Sequence, residues 1–155
     1  MKQRLNPFKS VPELMQAMLA LSEKIEGAGL DRTLAELVKT RASQINGCAY
    51  CIHMHTRDAR ANGETEERLL LLDAWRESPL YSDRERAALA WAEALTSIAQ
   101  THAPDAVFAD ASRHFSEAEL ARLTLIVANI NAWNRIAMGL RFVHPTGAAR
   151  ARPAA

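Results

Sequence analysis

Two cysteines and a histidine lie close together in the segment INGCAYCIHMHTRD, which spans residues 45–58. Cys48 and Cys51 have the C-x2-C spacing, and His55 follows the second cysteine by four positions. Two thiols at this spacing can close a disulfide, bind a metal ion or react with an oxidant. On a helix of about 3.6 residues per turn these three side chains share one face, and His53 lies on the opposite face. We therefore expect the chemistry at Cys48, Cys51 and His55, and we expect His53 at the surface.

Both thiols lie at the start of a predicted helix, where a negative sulfur is favoured. Unpaired backbone N–H groups and the positive end of the helix dipole stabilise a thiolate, which is the reactive form of cysteine. The dipole makes Cys48 the more acidic thiol, because it is closer to the helix start. His55 instead favours Cys51, since residues four apart are neighbours on a helix and the imidazole can take the thiol proton directly or through a water. The segment therefore predicts a partly shielded dithiol with its own base.

Other uses of this segment remain open or fail on the sequence. A structural zinc site takes four ligands, whereas Cys48, Cys51 and His55 supply three, so zinc is the less favoured alternative. The remaining histidines lack ligand spacing, and they are His102, His114 and His144. Covalent haem needs a histidine directly after the second cysteine, where this chain has Ile52, and is excluded. A pair of inert buried cysteines also stays open, although it explains neither the histidine nor Gly47 before the helix.

Length and charge limit the classes of protein that fit the chain. The 155 residues suit one domain, which we place at residues 1–144, with residues 145–155 as a disordered tail. A net charge of +1 gives no reason to expect a nucleic-acid or acidic-lipid partner. The N-terminus lacks an apolar run of signal-peptide length, and asparagines and arginines within residues 120–143 make a membrane span too costly. We expect a cytoplasmic protein, and in that reducing compartment a C-x2-C pair is more often catalytic or metal-binding than structural.

Apolar residues recur at helical spacing along the whole chain, which predicts an all-α fold of about six helices. Capping residues and prolines mark the starts of these helices, at Pro12, Asp31, Cys48, Thr65, Ser82 and Ser116, and Pro104 is a further start for a short helix. Ser82 with Glu85 and Ser116 with Glu119 have the spacing of capping boxes. The two cysteines are thereby placed at the N-terminus of the third predicted helix.

The last predicted helix is apolar on more than one side. One face carries Leu120, Leu123 and Val127, and a second face carries Leu125, Ile136 and Leu140. Such a helix is buried on several sides, either at the centre of the core or at a subunit interface, and both alternatives stay open. We expect a homo-oligomer, specifically a trimer or a hexamer.

The same helix carries a polar group that consists of Asn129, Asn131, Asn134 and Arg135. Asparagine is a poor helix former, so three asparagines within six residues indicate that their side chains make satisfied polar contacts. These side chains could line the site or tie subunits together, and we favour the subunit contacts.

The run from Glu36 to His55 reads E-x11-C-x2-C-x3-H, and this spaced set is more specific than C-x2-C alone. It resembles the alkylhydroperoxidase AhpD-like members of the carboxymuconolactone decarboxylase superfamily. The asparagine-rich segment NINAWNRIA, residues 129–137, resembles the small single-motif branch of that superfamily. The resemblance covers most of residues 31–144 and an all-helical chain of this length.

The resemblance implies a thiol peroxidase of antioxidant defence. In such an enzyme Cys51 attacks the peroxide, Cys48 resolves the resulting sulfenic acid as a disulfide, and Glu36 and His55 relay the proton. A dithiol reductant, for example a lipoyl or thioredoxin-type protein, then restores the thiols, and no cofactor or resident metal is implied. Two alternatives stay open, namely a decarboxylase-like enzyme of the same superfamily, whose relatives act on a lactone without cysteines, and a non-enzymatic helical oligomer that binds a metal or another ligand.

Two residues of this pattern conflict with the helical periodicity. Glu36 lies opposite the apolar stripe of its helix, so periodicity alone predicts a solvated side chain. A catalytic Glu36 would need another helix or subunit to cover that face. Tyr50 stands where the better-studied form of the family has a histidine, and the helical projection directs it away from the cysteines. We therefore expect Tyr50 to be a packing or interface residue.

Overall fold

A computed structural model describes residues 2–27 and 29–145, so most of the predicted tail lies outside the described residues. Within these ranges the fold consists of nine α-helices and one 3-10 turn, without strands. The helices are α1 (Pro7–Ser10), α2 (Pro12–Glu26), α3 (Arg32–Asn46), α4 (Ala49–Ala61), α5 (Glu66–Leu70), α6 (Asp83–Thr96), α7 (Ile98–Thr101), α8 (Asp105–His114) and α9 (Glu117–Leu140), and the 3-10 turn is Leu72–Ala74. The predicted all-α class is confirmed.

Local capping fixes most helix starts where the sequence predicted them. The Asp31 side chain accepts a hydrogen bond from the backbone N–H of Leu34 at 2.8 Å. Thr65 caps α5, and both predicted capping boxes, at Ser82 and Ser116, are present. The cysteines lie at the start of the fourth helix rather than the third, because the side chain of Asn6 caps a short additional helix, α1.

Helix α3 lies at the centre of the fold, where it packs against α4, α6 and α9. As a result its residues 34–40 are all buried, on every side of the helix. The prediction from periodicity that Glu36 is solvated is therefore wrong. That prediction assumed one buried face, whereas three neighbouring helices cover this segment.

The two apolar faces of α9 have different environments. Leu120, Leu123 and Val127 are buried in the core that α9 forms with α3 and α6. On the other face Leu125 is 51% exposed, and Ile136 and Leu140 are half-buried. A central core position thus explains the first face, and a subunit interface on the second face stays a prediction. Within the described residues, no helix is both long enough and apolar enough to cross a membrane.

Two asparagines of α9 tie that helix to its neighbours in the same chain. The Asn46 side-chain amide donates to the Oδ1 atoms of both Asn131 and Asn134 at 2.8 Å. The Asn134 amide donates to Ser43 Oγ at 3.0 Å, and the Asn131 amide donates to Thr96 Oγ1 at 3.1 Å. Asn131 and Asn134 have satisfied contacts, as predicted, but these contacts lie within the protomer. The preferred prediction of subunit contacts is therefore wrong for these two side chains. Asn129 donates to Ser22 Oγ at 2.9 Å, while its buried Oδ1 atom has no partner among the described residues.

Replacing Asn134 by alanine should lower the free energy of unfolding by about 1–3 kcal/mol, because it removes a fully buried donor and acceptor. The measurement is urea unfolding at one fixed protein concentration. Gln16→Ala, which truncates an exposed amide on α2, is the matched control and should change the free energy by less than about 0.5 kcal/mol. An equally small change for Asn134→Ala would contradict a structural role for this network.

Candidate active site

A left-handed turn between α3 and α4 places the cysteines. Gly47 follows the last residue of α3 with φ of +73°, a conformation that a residue without Cβ adopts at little cost. Its N–H donates to the Gln44 carbonyl at 3.1 Å, and the N–H of Cys48 donates to the Ser43 carbonyl at 3.0 Å. Gly47 thus ends α3, and Cys48 becomes the N-cap of α4. The sequence predicted a helix start at this cysteine.

Cys48 and Cys51 are joined by a disulfide, with their Cα atoms 5.4 Å apart. The structure therefore represents the oxidised form of the pair. Cys48 Sγ also accepts a hydrogen bond from the backbone N–H of Cys51 at 3.4 Å. Both sulfurs are buried against Ala42 of α3 and against Ile130 and Ala137 of α9. Helix α9 thus shields the pair from one side.

Glu36 and His55 form a buried hydrogen-bonded pair between α3 and α4. His55 Nδ1 lies 2.8 Å from Glu36 Oε2, and the two residues are only 6% and 8% exposed. An ionised carboxylate can only accept, so Nδ1 carries the proton and donates. The other ring nitrogen, Nε2, is buried and has no hydrogen-bond partner among the described residues. An imidazole held in this way presents Nε2 as a base, one helical turn from Cys51.

Lys39 completes this buried set of charges. Its Nζ atom donates to Glu36 Oε1 at 2.8 Å and to Glu26 Oε1 at 2.7 Å. Burial alone would raise the pKa of Glu36, but its hydrogen bond and electrostatic attraction to His55, followed by those to Lys39, bring that pKa below its usual value. Burial would likewise lower the pKa of Lys39, but the two carboxylates hold it above its usual value. The charged forms of Glu36 and Lys39 therefore stabilise each other.

A cavity of about 540 Å³ lies beside these groups, between α1, α2, α3, α4 and α9. Its walls include the four site residues Cys51, His55, Glu36 and Lys39. Cys48 is not among the described residues that line the cavity. Its apolar walls include Phe8, Leu19, Ile25, Leu30, Tyr50, Met54, Ile126, Ile130, Trp133 and Phe142. A volume of several hundred Å³ with mostly apolar walls is typical of sites for small organic molecules.

Two predictions about neighbouring side chains need correction. Tyr50 is a packing residue, as expected, because its ring contacts Phe142 edge to face at 5.5 Å. It nevertheless lines the same cavity as Cys51, since the chain after α9 folds back over the start of α4. His53 is half-buried instead of exposed, and its ring stacks on that of His144 at 5.0 Å. Both contacts are made by the C-terminal segment, which a single-helix projection does not include.

Lys39 and Glu26 also belong to the site, and they were not predicted from the sequence. The Glu36–Lys39 pair has the i,i+3 spacing of a helical ion pair, and this signal could have identified Lys39. No local signal identifies Glu26, because it lies on another helix. Within the described residues, no cluster of at least three His, Cys, Asp or Glu side chains has an arrangement that could hold a metal ion. The zinc alternative would require both cysteines to be reduced.

The fold and the spaced Glu, Cys, Cys and His residues define a class of protein. The model of the carboxymuconolactone decarboxylase family, CMD, matches residues 12–94, and the chain belongs to this family. The resemblance to its AhpD-like members is confirmed. The uncharacterized protein YdfG of Bacillus subtilis is 41% identical over 140 residues, which are 90% of this chain and 95% of YdfG.

Solved structures extend the comparison. One from Agrobacterium tumefaciens, a protein of unknown function described as a candidate antioxidant defence protein AhpD, has a TM-score of 0.92 and 44% identity. The similarity covers 94% of this chain and 100% of that chain. The debrominase Bmp8 has a TM-score of 0.81 at 23% identity, over 90% of this chain and 75% of its own, and shares the fold.

Proposed function

We propose that the protein is a thiol-dependent peroxidase of antioxidant defence that cycles through the Cys48–Cys51 disulfide. The observation that carries this proposal is the position of the disulfide. It lies at a helix N-terminus with Cys51 on the cavity, one turn from an imidazole held by Glu36. A relative described as a candidate antioxidant defence protein agrees with this function.

The two cysteines have different roles in the proposed reaction. In the reduced enzyme the Cys51 thiolate attacks an oxygen of the peroxide and the O–O bond breaks. The departing alkoxide takes a proton from His55 and leaves as an alcohol, and Cys51 becomes a sulfenic acid. Cys48 then attacks the Cys51 sulfur, and the sulfenic oxygen leaves as water. Two thiols and one peroxide thus yield one disulfide, one alcohol and one water.

Access to the cavity supports the choice of Cys51 as the thiol that reacts with peroxide. Cys51 lines the cavity, whereas Cys48 lies outside the described lining. Helix geometry places His55 within range of Cys51 rather than of Cys48, since four residues make about one turn. Cys48, at the N-cap, needs only to reach a sulfur three positions away. The helix dipole favours Cys48 as the more acidic thiol, but acidity without access to the peroxide does not produce a reaction.

A dithiol reductant is required to close the cycle. We propose a lipoyl or thioredoxin-type donor, which attacks one sulfur, forms a mixed disulfide and resolves it by exchange. We further propose a homo-oligomer, a trimer or hexamer, in which the second face of α9, with Leu125, Ile136 and Leu140, is covered.

Reduced protein treated with one equivalent of cumene hydroperoxide should lose the mass of two hydrogens and both free thiols. Thiol titration and intact-mass spectrometry measure the change. Steady-state peroxide consumption is then compared with lipoyl, thioredoxin-type and glutathione donors. Unchanged thiols in a folded, reduced sample would reject the proposal. Lactone turnover that survives in a Cys48→Ala/Cys51→Ala double variant would instead support the decarboxylase-like alternative.

A further inference from the structure

Lys39 is a buried cation that donates hydrogen bonds to carboxylates on two different helices. It is 7% exposed, and its ammonium contacts Glu36 on its own helix and Glu26 at the end of α2. A buried charge is costly unless it is paired and hydrogen-bonded, and Lys39 has both kinds of compensation. A paired lysine could be only structural, but this one is bonded to the residue that holds His55.

We propose that Lys39 is a positioning residue for the proton relay, which holds Glu36 as a carboxylate with one oxygen directed at His55. This inference rests on the proposed function, since the relay serves Cys51. The two oxygens of Glu36 are divided between the two partners, with Oε1 on Lys39 and Oε2 on His55. Lys39 thereby occupies the oxygen that would otherwise compete for the imidazole.

Loss of Lys39 would change which ring nitrogen of His55 carries the proton. Without the ammonium, burial favours the neutral form of Glu36, which raises the pKa of this carboxyl group. A protonated Glu36 donates to Nδ1, so the imidazole proton moves to Nε2. Nε2 is the nitrogen that Glu36 leaves free, and once protonated it can no longer accept the thiol proton. The role of Lys39 is therefore to keep the base in its active form.

The surrounding charges favour positioning over substrate binding. The other charged side chains that line the cavity are Glu23 and Glu26 of α2, Arg32 of α3 and Asp58 of α4. The side chains of α9 in the described lining are uncharged. An anionic substrate would thus meet three carboxylates in addition to Glu36. Lys39 also already donates to two carboxylates, so it has little capacity left for a substrate.

The first experiment measures alkylation of Cys51 by iodoacetamide against pH, in reduced protein with a Cys48→Ser background. Loss of the Lys39 charge raises the pH at which the coupled groups Glu36, His55 and Cys51 lose their protons. We expect Lys39→Met to move the midpoint of the rate profile upward by about one pH unit. Lys39→Arg, which keeps the charge, should restore the midpoint to within about 0.3 unit. Lys24→Met, on the exposed side of α2, is the matched control and should leave it unchanged.

A double-variant comparison separates positioning from a direct effect on Cys51. In a Glu36→Gln background, Lys39→Met should change the alkylation rate by less than about twofold, because the residue through which it acts is gone. The Lys39→Met/Glu36→Gln protein also leaves no buried charge unpaired, because the side chain of Glu26 is 48% exposed, so it tests the inference if Lys39→Met alone fails to fold. A full upward shift that persists in this background would overturn the inference.

Peroxide turnover supplies the last comparison. For cumene hydroperoxide, a neutral substrate, Lys39→Met should lower kcat about tenfold and leave KM unchanged, as one unit of pKa corresponds to a factor of ten. An effect confined to KM of a carboxylate-bearing hydroperoxide would assign Lys39 to substrate binding and overturn its positioning role. If the unmodified protein consumes no peroxide, the proposed function fails alone, because the alkylation profile requires no peroxide.

Discussion

Replacing Cys51 by serine should abolish peroxide reduction, and this is the largest effect we expect of any single substitution. A serine hydroxyl does not ionise in the range where a thiol does, so the variant lacks the nucleophile. Cys48 keeps its place at the helix N-terminus, where the dipole favours its thiolate, but it lies outside the described lining of the cavity. Stopped-flow consumption of cumene hydroperoxide should therefore fall to the rate without protein.

Cys48→Ser is the matched control for this result. Serine is a good N-cap, so α4 should keep its start, and Cys51 should still react once with peroxide. The product should gain one oxygen and should form an adduct with dimedone, both of which are visible in the intact mass. Dimedone labelling of Cys48 in the Cys51→Ser protein would reverse the assignment and would show that the helix dipole outweighs access and the neighbouring imidazole.

Features encoded in neighbouring residues could be predicted from the sequence. Helix capping is one such feature, because each N-cap side chain accepts a hydrogen bond from a backbone N–H only three positions later. This holds for Asp31, Thr65, Ser82 and Ser116. The C-x2-C pair at the start of a helix has the same local character. These local signals suffice for the all-α class and for the helix that carries both cysteines.

Features that depend on contacts between distant helices could not be predicted in this way. Asn131 and Asn134 suggested satisfied polar contacts, but their partner Asn46 lies 85 and 88 positions away. Glu36 is a polar residue on an amphipathic helix, and periodicity does not reveal that His55 of α4 packs against its polar side. The cavity has the same origin, because helices α1 to α4 and α9 each contribute part of its wall. Only the resemblance to the family identified Glu36 before the fold was known.

Replacing Glu36 by glutamine should lower the rate of peroxide reduction about a hundredfold, the lower end of what a positioned acid–base group contributes. Glutamine keeps the shape of the side chain but lacks the charge that fixes the proton on His55 Nδ1. The dependence of stability on pH should change as well. The folded state lowers the pKa of Glu36 below its usual value of 4.5, so the carboxylate stabilises the fold above that pH. This stabilisation is lost as the pH falls through the lowered pKa, and the variant should lack this part of the acid sensitivity.

Glu93 provides a control that separates the two effects. Burial would raise the pKa of this carboxyl group, but hydrogen bonds from Trp75, Arg41 and Arg76 hold that pKa below its usual value. Glu93 is not among the described residues that line the cavity. Glu93→Gln should therefore also reduce the acid sensitivity of urea unfolding, while the rate of peroxide reduction stays unchanged. If Glu36→Gln behaved like Glu93→Gln in both measurements, the buried Glu36–His55 pair would be a structural ion pair. A large loss of rate confined to Glu36→Gln would require the carboxylate to act through His55 on the reaction at Cys51.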